Sequence, residues 1–323
     1  MKRIICLFLL APLAVTVFLS ASKSKNDPAR DGSYNYLIVG LDDAAENSDS
    51  ISVVSFSPGL SRLSIVQIPR DTFVFYNGNY GKINRIYASS RSVGLDGREA
   101  ASRLKNTVED ILGLRLDGYL AMSTKDFSEY VDALGGIYIN IPSNFPRDIY
   151  PIDLKEGENL LLGDDAITFV RYRAGYSTGD LGRINAQKIF IDGVFRTITE
   201  KIGANELLKL ITARADSALA QIKLCDAMAI MFSHFDALRA SRAYIMTLPG
   251  EAMELNGISY YIINRSSSCD MLKRFMSSLY AGFDSHGILV DSNNDSILTI
   301  YKKEGLRYKV YSGGEFSEIT PLS

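Results

Sequence analysis

The sequence predicts an α/β fold. Three observations carry it: apolar runs of strand length alternate with longer amphipathic segments over residues 34–202, two of the strands are joined by a tight turn, and the amphipathic segments end at glycines. "YNYLIVGLDD" (34–43) is a short apolar run ending in acid and reads as a buried strand. "SISVVSFS" (50–57) is a second strand, and Pro58 and Gly59 then form a turn. "RLSIVQIPRD" (62–71) returns antiparallel to it; Pro69 ends the strand and Arg70 follows at its exit. "REAASRLKNTVEDILGL" (98–114) is an amphipathic helix with Leu104, Val108, Ile111 and Leu112 on one stripe and Gly113 as its stop. "STKDFSEYVDALGG" (123–136) is another. Ser123 and Asp126 resemble a capping box, Phe127, Tyr130, Val131 and Leu134 form the apolar face, and Gly135–Gly136 ends it. "IYINIP" (137–142) reads as a strand, "DDAITFVRYR" (164–173) as a short helix and "GRINAQKIFIDGVFRTITEKI" (182–202) as a longer one.

The 323 residues suffice for one large domain or two small ones, and 46% hydrophobic with 22% charged residues is globular composition. A formal net charge of −2 gives no reason to expect general nucleic-acid binding, so any anion site must be a local arginine cluster. At the N-terminus, Lys2 and Arg3 precede an apolar run from Ile4 to about Ala21. Residues 1–21 therefore read as a signal peptide or membrane anchor, with the rest of the chain facing outward. Residues 22–33 form a polar linker. The domain expected over 34–202 is followed by an extension, 203–323, with a helical stretch and strand-like pieces at "ASRAYIMTLPG", "ISYYIIN" and the Tyr-rich tail. Outside the cytoplasm Cys225 and Cys269 either pair or remain buried thiols.

Several chemistries are absent. The only histidines, His234 and His286, lie in the motif-poor C-terminal part, and no G-x-S-x-G elbow, Walker-A loop or G-x-G-x-x-G turn occurs. Zinc would need more Cys and His. Carboxylates and arginines remain. Asp180, Arg183 and Gln187 share one face of a helix beginning near Asp180, while Ile184, Ile191, Val194, Phe195 and Ile198 supply its apolar stripe. Arg171 and Arg173 flank a tyrosine just upstream, and two guanidiniums so close require carboxylates or an anion between them. Asp42 ends the first strand and Asp49 begins the second, hard oxygen ligands suited to Mg²⁺. Together with Arg70 these residues describe a metal–diphosphate site for phosphoryl transfer or phosphate binding.

The chain also resembles the LytR-CpsA-Psr (LCP) family of bacterial envelope proteins. The resemblance rests on "YLIVGLDD", "NSDSISVVSFSP", "VQIPRDTFV", "KINRIYA", "LGGIYINIP", "EGENLLLGDDAITFVRYR" and "GDLGRINAQ", in the family's order. It implies an α-β-α sandwich around a central mixed sheet, with a C-terminal α+β extension. It further implies a membrane-anchored, extracytoplasmic phosphotransferase, assisted by Mg²⁺. Such an enzyme joins a glycopolymer, teichoic acid or capsule, from an undecaprenyl-pyrophosphate carrier to peptidoglycan. The same residues would serve two alternatives: hydrolysis of the polyprenyl pyrophosphate, or a non-catalytic regulator that binds polyprenyl phosphate. By this resemblance Asp42 and Asp49 are metal-associated, and Arg70, Arg171, Arg173 and Arg183 bind pyrophosphate. Asp180, Gln187, Lys82 and Asn84 occupy further motif positions, and Asp49 or another motif carboxylate is the general base. Many members carry Arg-Ser-Asp where this chain has Asn47-Ser48-Asp49, so Asn47 brings no charge.

Overall fold

The computed structural model describes residues 32–42, 47–149, 151–172, 180–201, 219–220, 234, 236–237, 241–255, 257–276 and 308–311. The expected anchor, 1–21, falls outside them, as do Cys225 and His286. No described helix is long and apolar enough to cross a membrane.

Three long strands form the middle of the sheet: β1 (Tyr34–Leu41), β2 (Ser48–Ser57) and β3 (Arg62–Ile68). They pair antiparallel in sequence order, β2 and β3 through the turn expected at Pro58. A small hairpin follows, β4 (Phe73–Tyr76) and β5 (Asn79–Lys82), closed by Asn77 and Gly78 at φ 49° and 78°. This is the Asn-Gly turn that a right-twisted hairpin selects. Two helices come next, α1 (Arg85–Ser92) and α2 (Gly97–Leu112), the second capped by Asp96 and closed by Gly113 at φ 62°. Strand β6 (Gly118–Met122) then lies parallel to β1. Helix α3 (Thr124–Ala133) starts at the capping box of Ser123 and Asp126. A second hairpin, β7 (Ile137–Ile141) and β8 (Gly157–Leu161), leads to α4 (Gly163–Arg171) and α5 (Asp180–Arg196), which ends in a π-helical turn, Thr197–Lys201.

The chain beyond residue 202 is woven into the same sheet. Strand β9 (Leu219–Ala220) pairs with β6 at one edge, and β10 (Arg242–Thr247) runs parallel to β3 at the other. The order is β10-β3-β2-β1-β6-β9, a mixed six-stranded sheet. Strands β11 (Gly250–Leu255), β12 (Ile258–Ile263) and β13 (Tyr308–Tyr311) make a small antiparallel sheet, and α6 (Arg265–Phe275) follows β12.

Alternation along the strands builds two cores. Tyr34, Tyr36 and Ile38 of β1 face α3, β7, α4 and α5, where Phe127, Ile139, Phe169 and Phe190 are buried. Leu37, Val39 and Leu41 face the opposite side, against Tyr87, Leu104, Val108 and Leu272 of α1, α2 and α6. The result is the expected α-β-α sandwich. The stripes expected on α2 and α3 are buried as read, except that Leu134 is only partly covered. On α5 and its π-helical turn, Ile191, Val194 and Ile198 are buried and Phe195 packs against them half-covered, while the Ile184 side chain lies outside the described residues. His234 lies beside Tyr34, whose hydroxyl is 3.3 Å from its Nε2. Cys269 is a half-buried free thiol.

Gly193 marks the closest approach of α5 to β7. A Cβ there would lie 2.5 Å from the Tyr138 carbonyl oxygen and 2.7 Å from Ile139 Cγ2. Backbone cannot yield as a side-chain tip can, so Gly193→Ala should lower stability by about 1–3 kcal/mol. The shift of the urea-unfolding midpoint at unchanged slope reads this directly.

Candidate active site

The carboxyl ends of β1, β3 and β6 lie at one edge of the sheet, because β6 is parallel to β1 and β2 runs antiparallel to both β1 and β3. Ligand groups in open α/β sheets gather at such an edge. Here the chain leaves β1 into Asp42, β3 through Pro69 into Arg70, and β6 through Ser123 into Thr124 at the start of α3.

Asp49 reaches this edge through a β-bulge. The register steps from Gly40 opposite Ser50 to Leu41 opposite Ser48, so Asp49 is the extra residue on β2. A bulge bends the strand and re-aims the residue that loses its partner. The Asp49 side chain meets Arg70, whose Nη1 donates to Asp49 Oδ1 at 2.9 Å. Their side chains are only 10% and 16% exposed, so each charge offsets part of the other's desolvation.

Asn47 holds Asp42. Its Nδ2 donates to Asp42 Oδ2 at 2.6 Å and its backbone N–H to Oδ1 at 3.2 Å, while the Asp42 N–H donates back to the Asn47 carbonyl at 3.0 Å. The neutral side chain at this position therefore orients a carboxylate. On the neighbouring hairpin, Lys82 Nζ is 2.7 Å from Asp71 Oδ1. The Asn84 backbone donates to the Arg70 carbonyl at 3.2 Å and accepts from Ser48 Oγ at 3.0 Å, tying this loop to both β2 and β3. Arg171, at the end of α4, donates from Nη2 to Thr124 Oγ1 at 3.3 Å.

These residues line one cavity of about 580 Å³. It brings together six of the residues expected from the sequence: Asp42, Asp49, Arg70, Lys82, Asn84 and Arg171. Arg173 and the side chains of Asp180, Arg183 and Gln187 lie outside the described residues, although the α5 backbone begins at Asp180 as expected. Six more lining residues were not foreseen: Asp71, Tyr80, Gly81, Arg85, Ile258 and Tyr260. The Asn77-Gly78 pair inside an aromatic run was a readable hairpin signal and would have brought Tyr80 and Lys82 to one element. Nothing in the sequence separates Arg85 from an ordinary solvated helix residue.

Among the described residues, four cations, Arg70, Lys82, Arg85 and Arg171, share the cavity with three carboxylates, Asp42, Asp49 and Asp71. The lining carries a positive excess, which suits an anionic ligand. A divalent cation fits it as well. Mg²⁺ takes one or two carboxylates and completes its shell with water and phosphate oxygens. Asp42 and Asp49 are two such groups, and the buried Asn84 Oδ1, without a hydrogen-bond partner among the described residues, is a third hard oxygen at the same wall. No cluster of three or more His, Cys, Asp or Glu side chains able to enclose a metal occurs among the described residues. A cation here would depend on the substrate for part of its shell.

The LytR_cpsA_psr family matches residues 16–276. The chain is 28% identical over 240 residues to the polyisoprenyl-teichoic acid–peptidoglycan teichoic acid transferase TagU of Oceanobacillus iheyensis, covering 71% of each. It is 27% identical over 265 residues to TagU of Bacillus anthracis, covering 79% of this chain and 80% of that one. Among solved structures, a Streptococcus agalactiae protein superposes with a TM-score of 0.66 at 21% identity over 85% of this chain and 98% of its own. A structure of TagT bound to LIIa-WTA gives 0.59 at 20% identity over 79% and 94%. These structures share the fold. The family match spans most of the chain, and the protein belongs to the LytR-CpsA-Psr family.

Proposed function

We propose that the protein is an extracytoplasmic phosphotransferase that moves a glycopolymer from an undecaprenyl-pyrophosphate carrier to peptidoglycan. The observation that carries this reading is the meeting of Arg70 and Arg171 in the same cavity as Asp42 and Asp49. Relatives named as teichoic acid transferases support the reaction class. The apolar run after Lys2 and Arg3 supports attachment at the membrane, with the folded domain outside.

The chemistry follows from the charges. The diphosphate of the donor lies between the guanidiniums, which hold its oxygens by bidentate contacts and take up the charge that builds as the bridge opens. A peptidoglycan hydroxyl attacks the sugar-linked phosphorus. One P–O bond forms to that hydroxyl oxygen, the bond to the bridging oxygen breaks, and polyprenyl phosphate leaves with the electron pair. The proton of the attacking hydroxyl passes to a carboxylate of the cavity, Asp49 in the absence of a bound metal or another of the motif carboxylates. Mg²⁺, when bound at Asp42 and Asp49, supplies neutralising charge to the phosphate oxygens. Asn47 keeps Asp42 pointed into the site, and Lys82 adds a positive charge at the wall. Hydrolysis would use the same groups with water as acceptor, so the products distinguish it from transfer.

Arg70→Ala and Arg171→Ala should each reduce transfer by about 10²–10³-fold in a reconstituted assay with a lipid-pyrophosphate sugar donor. Circular dichroism should report a retained fold; full transfer by both variants sinks the proposal. Asn47→Ala should weaken Mn²⁺ binding by roughly 10-fold through loss of Asp42 orientation. Calorimetric titration of the wild type and the variant measures that ratio, and equal affinities would remove Asn47 from the metal's surroundings.

A further inference from the structure

The cavity has a second wall that the phosphate chemistry does not use. It is built by two hairpins distant in sequence. Tyr80 comes from β5, and Tyr260 and Ile258 come from β12. A parallel bridge between Thr72 and Tyr261 joins the hairpins, and the Tyr261 N–H donates to the Asp71 carbonyl at 2.9 Å. Tyr261 is the anchor. Its hydroxyl donates to the Leu248 carbonyl at 2.8 Å, and burial pushes its phenol up to about 12. Alternation along β12 then turns Tyr260 and Ile258 the other way, to the cavity.

Phe73, nearly fully buried, joins the two tyrosines. It stacks on Tyr80 at 5.4 Å between ring centroids and meets the edge of Tyr260 at 4.7 Å. Tyr80 is 50% exposed and Ile258 49%, although both adjoin a cavity. Beside this aromatic shelf sits the Lys82–Asp71 pair, with Lys82 Nζ 5.6 Å from the Tyr260 ring centroid.

We propose that the shelf of Tyr80, Tyr260 and Ile258 binds the first sugar ring of the donor, with Tyr80 as the stacking platform and Lys82 and Asp71 reading ring hydroxyls. This rests on the transferase reading above and names the saccharide part of its substrate. The mixture of surfaces decides between the two ends of a lipid-linked sugar. A pyranose offers one apolar C–H face and a rim of hydroxyls, which matches an aromatic plate bordered by a charged pair. An isoprenoid tail would bury that pair without giving it a hydrogen bond, which is unfavourable. Ligand pockets of this kind combine aromatic walls with a few placed polar groups.

Two probes with a common tail and diphosphate test this: geranyl pyrophosphate, and the same molecule carrying N-acetylglucosamine on its terminal phosphate. Affinities are measured by calorimetry on the full chain with Mg²⁺. Tyr80→Ala should weaken the sugar-bearing probe by roughly three- to tenfold, the scale of one lost aromatic contact, and leave geranyl pyrophosphate unchanged. Tyr80→Phe should keep both affinities. Tyr260→Leu, which retains apolar bulk against Phe73, should repeat the loss for the sugar probe alone. If Tyr80→Ala weakens both probes equally, weakens only geranyl pyrophosphate, or weakens neither, the shelf is not a sugar site. If wild type binds neither probe, the diphosphate reading fails and the shelf falls with it.

Discussion

The Arg70–Asp49 ion pair is the constraint around which the site is built. It joins β3 to β2 at the carboxyl edge of the sheet, with both side chains mostly removed from water. Desolvated charges are tolerable only with a well-placed partner, so each partner restricts the other's geometry. The bulge at Asp49 and the rigid exit through Pro69 deliver the two groups to that position. The neighbouring loops follow from it. Asn84 ties itself to the carbonyl of Arg70, one member of the pair, and to Ser48, which precedes the other, and so fixes the path that carries Lys82 and Arg85. A pair held this way leaves Arg70 aimed at one cavity, where an anionic ligand competes for its guanidinium without reorganising the backbone.

Much of this was legible in the sequence, for identifiable reasons. The strands β1, β2 and β3 are apolar runs of strand length bounded by turn residues, and the helices α2 and α3 carry full apolar stripes between a cap and a glycine. The nearness of Asp42 and Asp49 followed from two consecutive strands meeting at one end. Periodicity could not show the bulge, because one inserted residue leaves no mark on composition. Nor could it show that Asn47 binds Asp42, since the missing positive charge at residue 47 says only what the side chain cannot do. Arg171 was recognisable as part of an arginine cluster, but its hydrogen bond to Thr124 depends on how α3 and α4 pack.

The least legible part is the C-terminal third. Strand β10 pairs with β3 across some 180 positions, as between Arg242 and Arg62, and no local pattern encodes such a partner. The resulting topology matters for function. By continuing the sheet beyond β3, the chain brings β11 and β12 against the β4–β5 hairpin, and Tyr260 thereby closes a wall of a cavity whose charges, among the described residues, all come from positions before 172. A segment without any chemical motif of its own thus shapes the space beside the reacting groups. Sites of this type separate the conserved demands of phosphate chemistry from the contacts that select the rest of the substrate.

The central claim is that the cavity at the carboxyl edge holds a divalent cation and a diphosphate together. A crystal structure with farnesyl pyrophosphate and Mn²⁺, the metal located by its anomalous scattering, tests it most directly. The account predicts one Mn²⁺ peak bonded to Asp42 and Asp49 carboxylate oxygens, with the diphosphate touching both Arg70 and Arg171. A metal peak elsewhere, or a diphosphate bound away from both arginines, would contradict it.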